Sequence, residues 1–257
     1  MIDKNTLTSN IIVFAKELDA SRAVAKQIQQ AIVAKQSAGQ PIVLGLATGN
    51  TPKLVYQELV RMHKNEGLSF ENVITFNLDE YYPMMPSHQL SYHNFMNIHL
   101  FSHVNMLPEN INIPYGQWSK AELIEKCKIY DEKIQQLGGI DIQLLGIGRN
   151  GHIGFNEPGS TMDTCTRLID LHETTRNDAA KDFEGLHNVP YQAITMGIQT
   201  ITSARKILLL ALGERKSVIV HKALTGEITS DVPASYLRVL PQIEFIFDKE
   251  AAALINR

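Results

Sequence analysis

Cysteine is scarce in this chain. Only Cys127 and Cys165 occur among 257 residues, and no CxxC pair or Cys/His ladder accompanies them. Disulfide scaffolds and structural zinc sites need more ligands at closer spacing, so the sequence argues against both. So few cysteines suit a reducing compartment, and Cys127 lies on the apolar face of a predicted helix, where we expect a small core residue.

The chain also lacks an excess of positive charge. Lys and Arg together number 24 against 27 Asp and Glu, which gives a net charge of −3. Proteins that bind nucleic acids usually carry a basic patch or an alkaline pI, so we expect no nucleic-acid partner. A few well-placed Lys and Arg side chains would still be enough to bind a small anion.

Long apolar runs are missing as well. No segment reaches the roughly 20 apolar residues that a membrane-spanning helix needs, so we expect no membrane association. The N-terminal sequence MIDKNTLTSNIIVF lacks the basic segment, apolar run and small-residue cleavage site of a signal peptide. These absences together predict a soluble, cytoplasmic protein.

Short apolar runs alternate with amphipathic segments along the chain. Several runs are apolar throughout, which is typical of strands that are covered on both faces. Between the runs, residues such as Val24, Ile28 and Ile32 repeat at helical spacing. The alternation predicts an α/β fold with a doubly wound, mostly parallel sheet, organised as one domain over 1–257 with a candidate lid at 161–189. The predicted strands are 11–14, 42–47, 73–78, 140–147, 192–196, 207–212 and 243–247.

Polar residues gather where four of the predicted strands end. They are the turn 48–52, Asp79, the turn 148–152 and, a few residues after the strand 207–212, Lys216. The carboxyl ends of parallel strands meet at one edge of a sheet, and ligands of doubly wound folds bind there. The sequence therefore predicts one crevice that contains a hydroxyl-rich turn, a carboxylate, an imidazole and an ammonium group.

The turn 48–52 has the sequence TGNTP and is expected to enter a helix. Thr51 is a candidate helix cap, and Pro52 suits the first helical position. Free N–H groups at a helix N-terminus bind phosphate, so the turn is a candidate phosphate site, although spacing alone favours a plain strand-to-helix turn equally. The turn lacks the lysine and the glycine spacing of a P-loop, so a nucleoside triphosphate is not indicated.

The segment 146–151, GIGRNG, matches the GxGxxG pattern of dinucleotide-binding sites. That pattern requires a helix that begins within the glycines and receives the pyrophosphate. The sequence HIGFNEPG follows instead, and its closely spaced Gly and Pro residues disfavour a helix. We therefore expect no NAD binding and interpret the glycines as room for the backbone to approach a ligand.

His152 and Glu157 lie on this irregular segment. A lone histidine in a loop is more often a satisfied polar residue, but an imidazole beside a carboxylate can move protons between oxygen atoms, because histidine titrates near neutrality. Asp79 is a candidate base for a carbon-bound proton, with a turn or helix-cap role as the alternative. Glu80 is as plausible a base from chemistry alone.

The chain contains, in this order, the segments LGLATGNTP, ITFNLDEYYP, SYHNFM, LLGIGRNGHIGFNEPGS, LHETTRNDAA and LALGERKS. In sequence and order they resemble the glucosamine-6-phosphate deaminases, and NGHIGFNEPGS is the most specific of them. The resemblance covers about 42–216 and extends to the flanking elements. It implies a Rossmann-like fold with no metal or other cofactor. It also implies conversion of D-glucosamine 6-phosphate and water to D-fructose 6-phosphate and ammonia, in amino sugar catabolism.

The resemblance also implies roles for particular residues. Asp79 looks like the base that moves a proton between C2 and C1 of the sugar. His152 looks like the group that opens the sugar ring, assisted by Glu157 and by Asn150. Some family members have Asp at the last of these positions, whereas Asn can donate a hydrogen bond but carries no charge.

Binding residues are implied in the same way. The substrate phosphate is expected to contact Lys216 and the turn residues Thr48, Gly49, Asn50 and Thr51. At the position of a family arginine on the lid this chain has Lys181, whose ammonium group cannot form the bidentate hydrogen bonds that a guanidinium forms with phosphate.

The resemblance also concerns regulation and assembly. Arg167 matches a residue of the allosteric N-acetylglucosamine-6-phosphate site of hexameric members, but Ile169 stands where that site has a lysine. We therefore do not expect activation by this ligand. A monomer and a homo-oligomer both stay open.

Three alternatives remain at this point. 6-Phosphogluconolactonases share the fold and the strand-end loops, but their usual NDGHTASLFP-like segment differs from NGHIGFNEPGS here. A galactosamine-6-phosphate deaminase would differ only in the configuration of its substrate at C4. A sugar-phosphate sensor would normally add a helix-turn-helix, for which no segment is spare.

Overall fold

The main sheet of the protein is parallel throughout. The computed structural model describes residues 10–255; residues 1–9, on which the expectation about a signal peptide largely depends, lie outside this range. The described strands are β1 (Ile11–Phe14), β2 (Ile42–Leu46), β3 (Val73–Asn77), β4 (Asp79–Tyr82), β5 (Ile111–Asn112), β6 (Ile142–Leu145), β7 (Arg167–Asp170), β8 (Gln192–Thr195), β9 (Lys206–Ala211) and β10 (Ile243–Asp248). Seven of them form the main sheet in the order β1-β10-β9-β6-β2-β3-β5, with parallel neighbours. The predicted α/β sheet is confirmed.

The central strands are buried on both faces. β2 and β6 are buried along their whole length, and β9 is buried except at its first residue. Val43 and Leu209 point into one hydrophobic core, whereas their neighbours Leu44 and Leu208 point into the other. Because successive strand side chains point to opposite faces, two cores require apolar residues at both kinds of position. This is why these strands read as continuous apolar runs in the sequence.

Helices cover both faces of the main sheet. The predicted stripe on the helix Glu17–Ser37 is fully buried at Val24 and Ile32, and Cys127, on the helix Leu123–Gln136, is a buried core residue as expected. Over residues 10–255, no helix combines the length and the apolar character needed to cross a membrane. The helices are α1 (Glu17–Ser37), α2 (Lys53–Glu66), α3 (Tyr92–His99), α4 (Leu123–Gln136), α5 (Glu173–Ala179), α6 (Ile198–Thr202) and α7 (Ser217–Thr225).

A second, smaller sheet lies beside the ends of the main strands. It is antiparallel and has the order β4-β8-β7. β4 follows β3 after the single residue Leu78, so the chain passes from one sheet into the other at the predicted site residue Asp79. The candidate lid 161–189 contributes β7 and α5 to this region.

The order of the main strands creates a switch point between β2 and β6. From β2 the chain proceeds outward to β3, whereas from β6 it proceeds in the opposite direction to β9 and β10. In open parallel sheets, a crevice forms outside the carboxyl ends of the two strands where the order reverses. The turns after β2 and β6 therefore face the same crevice.

Candidate active site

A cavity of about 220 Å³ lies at the switch point. Four strand ends contribute to its wall, as the sequence predicts. The lining also includes the aromatic side chains of Tyr81, Tyr92 and Phe155, with Tyr81 and Phe155 ring centroids 5.4 Å apart. Of the predicted site residues, those that line the cavity are Thr48, Gly49, Asn50, Thr51, Asp79, His152 and Lys216.

Asp79 is a buried carboxylate that opens onto the cavity. It begins β4 and is 5% exposed. In the described part of the chain no donor forms a hydrogen bond with its side-chain oxygens. Burial, and to a lesser degree the charge of Glu80, raises the pKa of Asp79 well above its ordinary value. A base of raised pKa without a fixed partner is suited to taking a proton from carbon.

Glu80 has a different environment, although it is adjacent in sequence. It is fully buried and accepts backbone hydrogen bonds from Tyr81 and Tyr92 at 2.9 and 3.0 Å. It also contacts the backbone N–H and the ring Nδ1 of His93 at 3.1 and 2.9 Å. These contacts fix the first turn of α3. Of the two acidic candidates, only Asp79 lines the cavity.

Asn150, His152 and Glu157 form one connected group. Asn150 Nδ2 donates to Glu157 Oε2 at 2.7 Å, and the His152 backbone N–H donates to Asn150 Oδ1 at 3.3 Å. His152 Nδ1 lies 3.4 Å from Glu157 Oε2. Asn150 and Glu157 therefore stand behind the imidazole, while His152 itself lines the cavity.

The carboxylate of this group stays ionised at neutral pH. Burial by itself raises the pKa of Glu157, but its contacts with His152, Thr175 and Asn150 outweigh burial and bring the pKa below its ordinary value. A fixed carboxylate behind the ring orients the imidazole toward the cavity.

Gly148 provides the space for the imidazole. A Cβ atom at this position would collide with the imidazole ring of His152. The Gly148 N–H donates to the His152 carbonyl at 2.9 Å and closes the turn. No helix begins within 146–151, and the next described helix is α5. Gly148 of the GxGxxG match therefore serves the packing of His152, and the geometry lacks the helix N-terminus that a dinucleotide site requires.

The turn 48–52 contributes Thr48, Gly49, Asn50 and Thr51 to the lining of the cavity. α2 begins at Lys53 with Pro52 as the preceding residue, and no side chain caps it. The expectation that Thr51 caps this helix is wrong, because Pro52 already has helical dihedral angles and moves the cap one residue onward. Gly49 has φ +92°, a conformation that favours glycine. Thr51 is left to line the cavity.

Lys216 reaches the cavity from the segment after β9. Its Nζ donates to the Ile147 carbonyl at 2.6 Å. Burial lowers the pKa of Lys216. The charge of Asp178 raises this pKa by a smaller amount, and the charge of Arg149 lowers it slightly further. Lys181 is exposed, and the structure does not place it in the cavity lining.

Other residues of the lining carried no clear signal in the sequence. Thr175, on α5, lies with its Oγ1 3.3 Å from His152 Nδ1. Arg149 and Asp178 line the cavity mouth and form an ion pair at 2.8 Å. Arg149 stood out only as one polar residue of a strand-end turn. The sequence contains no signal that places Thr175 and Asp178 in the site, because α5 reaches this cavity only once the small sheet has folded.

Arg167 supports the loop that carries Glu157. Its Nη1 donates to Asn156 Oδ1 at 2.9 Å and its Nη2 to Ser160 Oγ at 3.0 Å. Ile169, two residues further along β7, packs against a small apolar cluster of the lid region.

Within residues 10–255, no three His, Cys, Asp or Glu side chains come together as metal ligands would. What the cavity combines is a buried carboxylate of raised pKa, an imidazole beside a second carboxylate, an ammonium group and a hydroxyl-rich turn. Such a set at the switch point of a doubly wound sheet is the arrangement of an α/β enzyme. The chain belongs to the family of glucosamine-6-phosphate isomerases and 6-phosphogluconolactonases, whose sequence model matches residues 15–243.

Similar proteins agree with this membership. A Thermoanaerobacter pseudethanolicus protein named glucosamine-6-phosphate deaminase is 47% identical over 225 residues, which is 87% of this chain and 88% of that protein. A Bacillus velezensis protein of the same name is 45% identical over 243 residues, covering 95% and 98% of the two chains. A solved structure of a monomeric glucosamine-6-phosphate deaminase superposes with a TM-score of 0.90 at 42% identity, covering 95% of this chain and 99% of that one.

Proposed function

We propose that this enzyme is a glucosamine-6-phosphate deaminase, which converts D-glucosamine 6-phosphate and water to D-fructose 6-phosphate and ammonia. One observation carries the proposal: Asp79 is a buried carboxylate of raised pKa, without a hydrogen-bond partner in the described chain, that faces the cavity. An aldose–ketose isomerisation needs such a base, because a C–H bond must be broken. The names of the relatives described above support the same reaction.

Asp79 takes the proton from C2 of the open-chain sugar and returns it to C1. The C2–H bond breaks and a C1–C2 double bond forms while the π bond of the C1 carbonyl opens and its oxygen takes a proton from His152, which gives the enolamine. Transfer of the proton from Asp79 to C1 then leaves an iminium group at C2. Water then adds to C2, and the nitrogen departs as ammonia. The apolar wall around Asp79 limits competing solvent and strengthens its electrostatic interactions.

His152 opens the sugar ring by moving a proton between the ring oxygen and the C1 hydroxyl. Glu157 stabilises the imidazolium that forms, and Asn150 holds Glu157 in place through the 2.7 Å hydrogen bond. This assignment separates the two proton transfers: oxygen-bound protons belong to His152 and carbon-bound protons to Asp79.

The phosphate binds at the end of the cavity between Lys216 and the turn residues Thr48, Gly49, Asn50 and Thr51. Hydroxyl groups, N–H groups near the start of α2 and an ammonium group together suit a dianion. Lys181 contributes in a form in which the lid segment 161–189 has moved over the cavity, since it is exposed in this one. We propose that the protein acts in the cytoplasm, in keeping with its few cysteines.

The experiment that tests the function is ammonia release from purified protein. Glucosamine 6-phosphate should give ammonia and fructose 6-phosphate in equal amounts, and galactosamine 6-phosphate tests the configuration at C4 in parallel. 6-Phosphogluconolactone should not be hydrolysed above the uncatalysed rate, because lactone hydrolysis leaves no use for the carbon base Asp79. Lactone hydrolysis without ammonia release would overturn the proposal.

A further inference from the structure

An ion pair crosses the mouth of the cavity. Arg149 Nε donates to Asp178 Oδ2 at 3.0 Å, and Arg149 Nη2 lies 2.8 Å from Asp178 Oδ1, so the guanidinium holds the carboxylate with two prongs. Arg149 comes from the turn after β6, and Asp178 comes from α5. The two side chains are 50% and 42% exposed. Ion pairs as exposed as this contribute little to the stability of a fold, so the fold does not depend on it.

The pair lines the same cavity as the groups that we assign to phosphate. Arg149 and Asp178 both line the cavity together with Lys216 and the turn 48–51. The charges of both residues act on Lys216, which places them within electrostatic reach of its ammonium group. Near Lys216, the lining therefore contains two cations, Lys216 itself and Arg149, and the carboxylate of Asp178.

We propose that Arg149 binds the substrate phosphate and that Asp178 occupies the same face of the guanidinium while the site is empty. This inference rests on the proposed function, since it takes a phosphorylated substrate as the ligand. The fixed fork of a guanidinium matches a carboxylate and a phosphate in the same two-pronged geometry, and it cannot hold both in that way at once. A phosphate dianion and Asp178 also repel each other. Asp178 is therefore a built-in competitor of the substrate phosphate.

The exchange connects the residues that we assign to phosphate binding with the acid–base residue His152. Asp178 and Thr175 lie three residues apart and so share one face of α5, and Thr175 contacts His152. When the phosphate takes Arg149, α5 loses its ion pair to the turn after β6 but keeps its contact with the imidazole. Occupation of the phosphate site is thereby transmitted to the helix that touches the ring-opening residue.

Calorimetric titration with inorganic phosphate tests the exchange. Arg149→Gln should raise the Kd for phosphate at least ~10-fold, the low end of what a lost charge-assisted hydrogen bond costs. Asp178→Asn should lower the Kd by ~3-fold or more, because the competitor loses its charge while its size is kept. Asp178→Glu, which restores a carboxylate, should bring the Kd back toward the wild-type value. Glu66→Gln removes a partner from the comparably exposed Arg61–Glu66 ion pair on α2 and should change nothing.

An Asp178→Asn protein that binds phosphate no more tightly than the wild type would overturn the exchange, as would an Arg149→Gln protein of unchanged affinity. Ammonia release by the wild-type enzyme tests the function separately. Ammonia release by the wild type, together with the same phosphate Kd in all variants, would support the proposed function and contradict the exchange. The expected order of affinities without ammonia release would leave an anion-exchange site and remove the deaminase assignment. Melting temperatures of all four variants verify that each is folded.

Discussion

Asp79 and Glu80 are adjacent carboxylates with opposite tasks, and their substitution should separate catalysis from structure. Asp79→Asn removes the proposed base but preserves the size of the side chain. It should reduce ammonia release at least ~100-fold, the low end of what loss of a general base costs, while a phosphosugar still binds with nearly normal affinity. Turnover and calorimetric binding on the same preparation provide the test. Near-normal turnover would move the base to another residue.

The raised pKa of Asp79 also predicts an effect on stability. The folded state binds this proton more tightly than the unfolded state, so stability falls as pH rises through the interval from the ordinary carboxyl pKa to the raised one. Asp79→Asn removes this penalty and should increase Tm at pH 8, with a difference that shrinks toward acid pH.

Glu80→Gln is the matched control for that measurement. The Glu80 carboxylate accepts hydrogen bonds that fix α3, so the substitution should lower Tm. The expected loss in the free energy of unfolding is roughly 1–3 kcal/mol, the cost of leaving a buried hydrogen-bonding group unsatisfied. Shifts of the same sign in both variants would contradict the distinction between the two carboxylates.

Asn150 is the residue at which this chain departs from family members with Asp. In Asn150→Asp a carboxylate replaces the amide that donates to Glu157 at 2.7 Å, so the group behind His152 gains negative charge. One added charge within a few Å can move a pKa by ~1–3 units. The limb of the pH–rate profile assigned to His152 should move to higher pH. Superimposable profiles would make the role of residue 150 purely positional.

Thr175→Val is the uncharged control for this change. It removes the hydroxyl 3.3 Å from His152 Nδ1 without adding a charge, so its pH–rate profile should shift much less than that of Asn150→Asp. Comparable shifts in the two variants would show that loss of a contact, and not charge, sets the profile.

At the scale of elements, the turn after β6 predicts that dinucleotides do not bind. The GxGxxG match ends in a turn over 149–151 and is followed by a short bridge between Ile153 and Asn156, with no helix to receive a pyrophosphate. Calorimetric titration with NAD or NADP at millimolar concentration should give no binding heat. Saturable binding would contradict this interpretation of 146–151.

The elements also show which features a sequence can predict. The buried strands of the main sheet were recognisable because two cores demand apolar side chains on both faces. β4 and β7 were not, because each is only four residues long and carries polar side chains. Because β4 is not recognisable from the sequence, Asp79 and Glu80 are equally plausible bases at that level. In the folded strand the two adjacent side chains point to opposite sides. Thr175, Arg149 and Asp178 were missed as a group because their contact depends on β7 and β8 pairing first.

At the scale of the whole molecule, the prediction of one domain over 1–257 stays a prediction with a direct test. The small sheet is continuous with the main sheet through Leu78, and Met196, the residue directly after β8, donates its backbone N–H to the Leu78 carbonyl. We expect a single calorimetric transition whose calorimetric and van't Hoff enthalpies agree. Two resolved transitions would assign the lid region its own folding unit.

Because of the contact between Gly148 and His152, the imidazole loses its conformational entropy during folding and not during substrate binding. A ring pressed onto a backbone that has no room for a Cβ atom has few rotamers left, so its orientation is chosen during folding. Substrate binding then does not have to immobilise it again, and binding free energy stays available for the transition state. The glycine that imitates a nucleotide motif thus acts through entropy, by keeping the acid–base group organised in advance of the sugar.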